Sequence, residues 1–494
     1  MNRHEGIPPP LQGPPWLDSS AGCLPGPAAA ATPEADLTRH TLTLVLAGGR
    51  GSRLGPLTAH RAKPALPFAG QLAVIDFALS NCVHSGLRRI AVLTQYKAQS
   101  LIRHIERGWN FLDINLGEFI DLVPAQQQVG EGWYSGTANA VYQNLHLLRE
   151  ARPQRVLVLA GDHAYKMDYR RLLADHVAAG APATVACIDV PLDEAGEFGV
   201  LCTGPDGRVT AFAEKSCSPA ALPERPDCAR ASMGIYVFEA DFLMALLERD
   251  AADAASTHDF GHALLPLLAR SGQLHAHRFE DSCVGTPGQA APQPPYWRDV
   301  GSIDAYFDAH MDLLSPCPGL DLHDAHWPIL SLQRQLPAAR FVHGPQGQRG
   351  AAEDSLVASG CTVSGAQVRH SVLFSKVAVH AGSVVEDSLL LPGVTVGCGV
   401  RLRRVIVDKR CTLPDGLHAG LNAQADASRF HVSARGVVVI TPENLAALDQ
   451  GKPALHAHAS TAASRPAPAG VAACPPSVRV ERPAPLGGTQ LAAG

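Results

Sequence analysis

The stretch LAGGRGSRLGPLTAHRAKPALP, residues 46–67, sets Gly48, Gly49 and Gly51 beside the cations Arg53, Arg61 and Lys63. Glycines leave backbone N–H groups open to an anion, and guanidinium and ammonium groups close on the same charge, so the chemistry is that of a phosphate cradle. Two common cradles are excluded by spacing. No G-x-x-x-x-G-K-[ST] is present, and G-x-G-x-x-G is forced only through Gly49-Arg50-Gly51, with Leu54 where the third glycine would let a helix approach its strand. What remains is a wide Gly-rich loop for a phosphate-bearing ligand of another kind. A second chemical residue, Asp162 in A-G-D-H, directly follows the run RVLVLA. It stands where an α/β sheet presents ligands, although a lone aspartate there serves equally as a helix cap.

The elements that must position these groups are legible as alternation. TLTLVL, RIAVLT (89–94), RVLVLA (155–160) and ATVACIDV (183–190) read as strands, while 98–106 and 169–177 carry helical spacing. Strands alternating with helices imply an α/β domain with a Rossmann-like, mostly parallel sheet and ligands at the carboxyl ends of its strands. From about Leu356 to Ala419 the texture changes. Val379 and Val385, Val396 and Leu402, and Leu413 and Ala419 are six apart, with turn glycines nearby. That period predicts a parallel β-helix, whose coils must stack to bury their faces, with 437–440 as a closing strand. The expected division is a flexible Pro/Ala-rich extension (1–39), an α/β domain (40–315), a linker (316–350), a β-helix (351–450) and a disordered tail (451–494).

Bulk properties restrict the partners. The chain has 494 residues, 46% of them apolar and 18% charged, with a net charge of −5, so neither nucleic acid nor an anionic membrane is expected. Twelve scattered cysteines without C-x-x-C, and no apolar leader at residues 1–16, predict reduced thiols and a cytoplasmic, soluble protein.

The opening loop, LAGGRGSRL followed by KPALP, resembles the signature of the sugar-nucleotide pyrophosphorylases, nucleotidyltransferases that act on sugar 1-phosphates. Their pattern is G-G-x-G-[ST]-R-L followed by K-P. Further segments match in order: IDFALSNCVHSG (75–86), PAQQQVGEGWYSGTANAVYQN (124–144), LAGDHAYKMDY (159–169), EFGVL (197–201), FAEKS (212–216), ASMGIYVF (231–238), HDFG (258–261) and YWRDVGSIDAY (296–306). The resemblance spans about 41–450 and is greatest to the bacterial branch that uses ATP and glucose 1-phosphate. It implies adenylyl transfer from ATP to α-D-glucose 1-phosphate, giving ADP-glucose, a glucosyl donor for glycogen synthesis, and pyrophosphate. It also implies Mg²⁺ as cofactor, a left-handed form of the β-helix, a homotetramer and an anionic allosteric effector. A relative using UTP, dTTP or GTP, or a non-catalytic regulatory paralogue, stays open at this point.

The resemblance distributes roles over matching positions. Asp162 and Asp299 (in W-R-D-V-G) become the Mg²⁺ carboxylates; Arg53 takes the departing pyrophosphate and Lys63 lies beside the triphosphate. Glucose 1-phosphate falls to Tyr134, Gly199, Glu214, Lys215 and Ser232, and the nucleotide to Gly48, Gly49, Gly51, Gln126, Gly136 and Thr137. Ser216 stands where the family usually has proline, and Ser135 and Asn139 where relatives commonly carry Arg and Asp. Relatives controlled by fructose 1,6-bisphosphate carry cations where this chain has His60, Pro67, Ala73, Pro442 and Ala446, while Arg61 and Arg404 remain. Control by that bisphosphate is therefore expected to be weak, absent or moved to another anion, each lost phosphate contact removing about 1.5–3 kcal/mol.

Overall fold

The computed structural model describes residues 33–49, 51–126, 133–285 and 295–449. Nine strands form the first sheet: β1 (Thr41–Leu46), β2 (Arg89–Thr94), β3 (Phe119–Pro124), β4 (Arg155–Ala160), β5 (Ala183–Pro191), β6 (Gly199–Thr203), β7 (Val209–Glu214), β8 (Cys228–Glu239) and β9 (Leu274–Arg278). Their order is β7-β6-β8-β4-β1-β2-β3, with β5 on β8 and β9 on β5. The half built on β1, β2, β3 and β4 is parallel. The long β8 runs antiparallel to β4, β5 and β6, and β7 to β6, so the sheet is mixed, with the other seven strands pointing one way. The predicted strands lie where their apolar runs place them: Leu42, Leu44 and Val45 of β1 and Val156–Leu159 of β4 are buried on both faces, as a covered parallel sheet requires.

Three stacks of short parallel strands follow, starting at Arg340–Val342. Val379 pairs with Val396 and Val396 with Leu413 in one stack, while Val385 pairs with Leu402 and Leu402 with Ala419 in the next. The six-residue period is thus the step from one face of the coil to its neighbour. Corners are left-handed: Gly365, Gly382 and Gly399 at one, and Asp354, His370, Asp387 and Arg404 at another. The closing strand Val438–Ile440 joins the third stack.

Three expected boundaries shift. Residues 33–39 form a helix rather than a flexible end, with the Leu37 carbonyl accepting from the Thr41 hydroxyl; residues 1–32 and 450–494 lie outside the described residues. The expected linker contributes the first rung of the coil from Arg340. Its earlier part is strapped to the α/β domain: Trp327 Nε1 and Leu330 N donate to Asn81 and Ser80, Ser331 to Asp76, and Lys166 pairs with Asp324. One apolar core serves both domains. Phe68, Phe77, Tyr306 and Phe307 pack with Phe374, Leu391, Ile406 and Val439.

Candidate active site

Because β1, β2 and β4 are parallel, their carboxyl ends open on one edge of the sheet. The residues just beyond them, Gly48, Gly49, Gln95 and Asp162, line a cleft of about 380 Å³ with Tyr134, Gly136, Thr137, Tyr236 and Asp259 on its walls. Gly51 adopts φ +60°, and a Cβ there would lie 3.1 Å from Thr58 and 3.2 Å from Lys63. The turn it permits carries the chain behind the loop and brings Lys63 under the cleft.

Asp299 arrives from far along the sequence. The strand Trp297–Asp299 pairs antiparallel with His163–Tyr165, setting Asp299 opposite His163 and beside Asp162. Lys63 Nζ lies 2.9 Å from Asp162 and 2.5 Å from Asp299. Burial opposes the charge on Lys63, but the two carboxylates outweigh it and hold the ammonium above the ordinary lysine range. Burial equally opposes the charge on Asp162, yet Lys63 and then His163 bring its carboxyl down to about 2. Arg53 extends the network outward: it bonds Glu197, lies 3.7 Å from Asp299 and is half exposed. Arg50 lies outside the described residues.

The expected Mg²⁺ can be tested against these groups. Oxygen atoms of Asp162 and Asp299 and a ring nitrogen of His163 lie within 4.8 Å of one another. Two carboxylates at a cleft that would admit phosphates suit this ion, which takes few protein oxygens and completes its shell with water and phosphate. Lys63 sits on one oxygen of each carboxylate; the second of Asp162 faces His163 at 3.5 Å and the second of Asp299 faces Arg53 at 3.7 Å, neither as close as the lysine. The donor set fits.

Of the residues expected at the sugar phosphate, Gly199 and Lys215 meet at Glu214. Gly199 opposes Glu214 in the β6–β7 pairing. A Cβ on Gly199 or Gly261 would come within 2.5 Å of the Glu214 carboxylate, so both glycines make room for it. Burial raises the Glu214 carboxyl, and Lys215, 3.6 Å away and half exposed, only partly offsets this. Ser232 accepts from Gly234 N at 3.3 Å, on the strand that carries Tyr236 into the cleft lining. Tyr134 accepts a hydrogen bond from Asn144 at 2.8 Å.

Gly136 and Thr137 sit at the other wall. A Cβ on Gly136 would stand 2.3 Å from the His258 carbonyl, which receives the N–H groups of Ala138 and Asn139. Thr137 donates its hydroxyl to Asp259 at 2.8 Å. Asn139 accepts from Ser135 N, so the two substituted positions order one another. Gln126 lies two residues past β3, outside the cleft lining, and residues 127–132 beside it are not described. Asp259, His163, Tyr236 and Glu197 are functional candidates not singled out from the sequence, although each lies in a matching segment: H-D-F-G, LAGDHAYKMDY, ASMGIYVF and E-F-G-V-L.

Arg61 is withdrawn from the effector expectation. Its guanidinium is buried in a bidentate pair with Asp408 of the coil, at 2.7 and 2.8 Å, and fastens the two domains together. Arg404 lies over the Phe307 ring, 5.2 Å from its centroid. His60 pairs with Glu443 at 2.9 Å. Five basic groups face a cavity nearby: Arg103, His104, Arg107, Arg334 and Lys409 line a pocket of about 150 Å³ between the domains, together with Pro67 and Ala73. Burial and then Arg61 lower the Lys409 ammonium to about 8.

Among the described residues no cysteine is paired, and no helix is long and apolar enough to cross a membrane. Residues 42–316 match the nucleotidyl transferase family model, and 337–440 match the GlmU-like C-terminal hexapeptide model, the repeat of a left-handed β-helix. The chain is 54% identical over 409 residues to the glucose-1-phosphate adenylyltransferase of Nitrosospira multiformis, covering 83% of this chain and 95% of that protein. Identity to the proteins of the same name from Albidiferax ferrireducens and Dechloromonas aromatica is 55% and 53%, covering 83% of this chain and 96% and 92% of theirs. With its glycine loop, paired carboxylates and hexapeptide coil in the matching order, the chain belongs to the glucose-1-phosphate adenylyltransferase family of nucleotidyl transferases.

Proposed function

We propose that the chain transfers the adenylyl group of ATP to glucose 1-phosphate, releasing pyrophosphate and ADP-glucose, a glucosyl donor for glycogen synthesis. The observation that carries this reading is the placement of Lys63 between Asp162 and Asp299 beneath a cleft walled by Gly48, Gly49, Thr137 and Tyr134. The reaction needs no covalent intermediate; positioning and neutralisation of phosphate charge suffice. Glu214 and Lys215 hold the sugar hydroxyls and its phosphate, so that a phosphate oxygen faces the α-phosphorus. Arg53 receives the β- and γ-phosphates as they leave, its planar fork matching their oxygens. Asp162 and Asp299 would hold a magnesium ion, whose charge would further neutralise the phosphates. Arg53, Lys63, Asp162 and Asp299 form one network, which favours an enzyme over a non-catalytic paralogue.

The test is pyrophosphate release from nucleotide, glucose 1-phosphate and MgCl₂, run with ATP, UTP, dTTP and GTP. Asp162→Asn is expected to lower turnover by orders of magnitude, and Lys215→Ala to raise mainly the KM for glucose 1-phosphate. Turnover only with a nucleotide other than ATP overturns the adenylyl reading. The protein is further read as a cytoplasmic homotetramer, which light scattering of the purified chain checks. An anionic effector other than fructose 1,6-bisphosphate is assigned to the pocket of Arg103, Arg107, Arg334 and Lys409, whose cations stand beside Pro67 and Ala73. Arg334→Ala is expected to abolish the response to that anion, and a strong response to low fructose 1,6-bisphosphate overturns the assignment.

A further inference from the structure

We propose that Glu197 is a positioning residue that competes with the leaving pyrophosphate for Arg53 and thereby promotes its release. Arg53 bonds Glu197, and its other terminal nitrogen lies 3.7 Å from Asp299. Glu197 is fixed from behind: it ends the turn Ala195–Glu197, and the next residue, Phe198, packs edge-on against Trp297 of the strand that carries Asp299. The Phe198 carbonyl accepts from Lys215 N, so the same few residues border the sugar-phosphate side. Gly301 belongs to the arrangement as well, since a Cβ there would lie 2.9 Å from Arg53 and 2.7 Å from Asp299.

A guanidinium meant for two phosphates is thus held, before they arrive, by a carboxylate whose chain is anchored at Phe198. Pyrophosphate must displace Glu197 to be gripped, and Glu197 reclaims Arg53 as the product departs. The Arg53 and Glu197 side chains are about half and two-thirds exposed, so the competition is modest. An exposed pair of this kind corresponds to a change of about 1.5- to 5-fold in an equilibrium constant.

This inference rests on the reading that Arg53 binds the pyrophosphate moiety. The experiment is equilibrium titration of the full chain with inorganic pyrophosphate in MgCl₂, without sugar nucleotide so that nothing turns over, for wild type, Glu197→Gln, Arg53→Ala and the double variant. Glu197→Gln is expected to tighten pyrophosphate about 1.5- to 5-fold, to lower the KM for ATP and to leave kcat no higher, with no such effect in the Arg53→Ala background. If Arg53→Ala weakens binding but Glu197→Gln changes nothing, or acts equally without Arg53, the competition is refuted. If Arg53→Ala leaves pyrophosphate affinity intact, the role assigned to Arg53 fails first.

Discussion

Arg61→Met removes the cation that joins the two domains and leaves the Asp408 carboxylate buried. The pair is 9% and 5% exposed, and both of its hydrogen bonds are short. Once Arg61 is gone, Asp408 keeps the backbone N–H of Lys409 at 2.7 Å, one dipole in place of a charged fork. Breaking a buried ion pair from one side costs about 3–5 kcal/mol, whereas replacing both partners by apolar residues of similar size is often neutral. The double variant Arg61→Met with Asp408→Leu should therefore regain most of what either single change loses, a coupling of at least about 2 kcal/mol. Equilibrium urea unfolding of the four proteins, followed by tryptophan fluorescence and far-UV circular dichroism, measures the cycle. Single variants within about 1 kcal/mol of wild type, or a double variant as unstable as the sum of the singles, would refute the reasoning.

Other outcomes follow from close contacts and burial. Gly136→Ala would drive a Cβ into the His258 carbonyl and the Thr257 backbone; neither can yield cheaply, so both thermal stability and ATP affinity should fall, the latter by tenfold or more. His310 is fully buried, donating from one ring nitrogen to the Tyr306 carbonyl and accepting from Ala69 N with the other, and burial lowers its pKa to about 4. The unfolded chain protonates this ring first, near pH 6.5. The stability due to the neutral ring is complete above that pH and is lost as pH falls towards 4, by about 3 kcal/mol. Thermal midpoints measured from pH 7 to 4.5 should fall less steeply for His310→Gln than for wild type.

Legibility in the sequence followed the range of the interactions. β1, β2, β4 and β5 were readable because each is a local apolar run, and the coil because its six-residue step repeats. The antiparallel β8 was not, since nothing within ASMGIYVF states that it will insert between β4 and β6. Asp162 and Lys63 were readable as chemical groups, but their ion pair is a tertiary fact, created by the turn at Gly51 and the strand pairing at Asp299. Arg61 shows the limit most clearly. A cation near the phosphate loop looks like an anion ligand until the fold supplies Asp408, 347 positions away, and then it is a fastening. The Trp327 and Ser331 bonds were hidden for the same reason, because a segment without regular periodicity gives no sign of what it will lie against.

The core shared by the two domains also sets the order of events during synthesis. Phe68 and Phe77 leave the ribosome early, yet Phe374, Leu391 and Val439, with which they pack, are made hundreds of residues later. At about 5–20 residues per second the interval from Phe68 to Val439 is roughly 20–75 s. Throughout it the newly made α/β half carries an uncovered aromatic face. Its cellular vulnerability is therefore concentrated in the nascent chain, where a chaperone or slow translation of the coil would decide the yield.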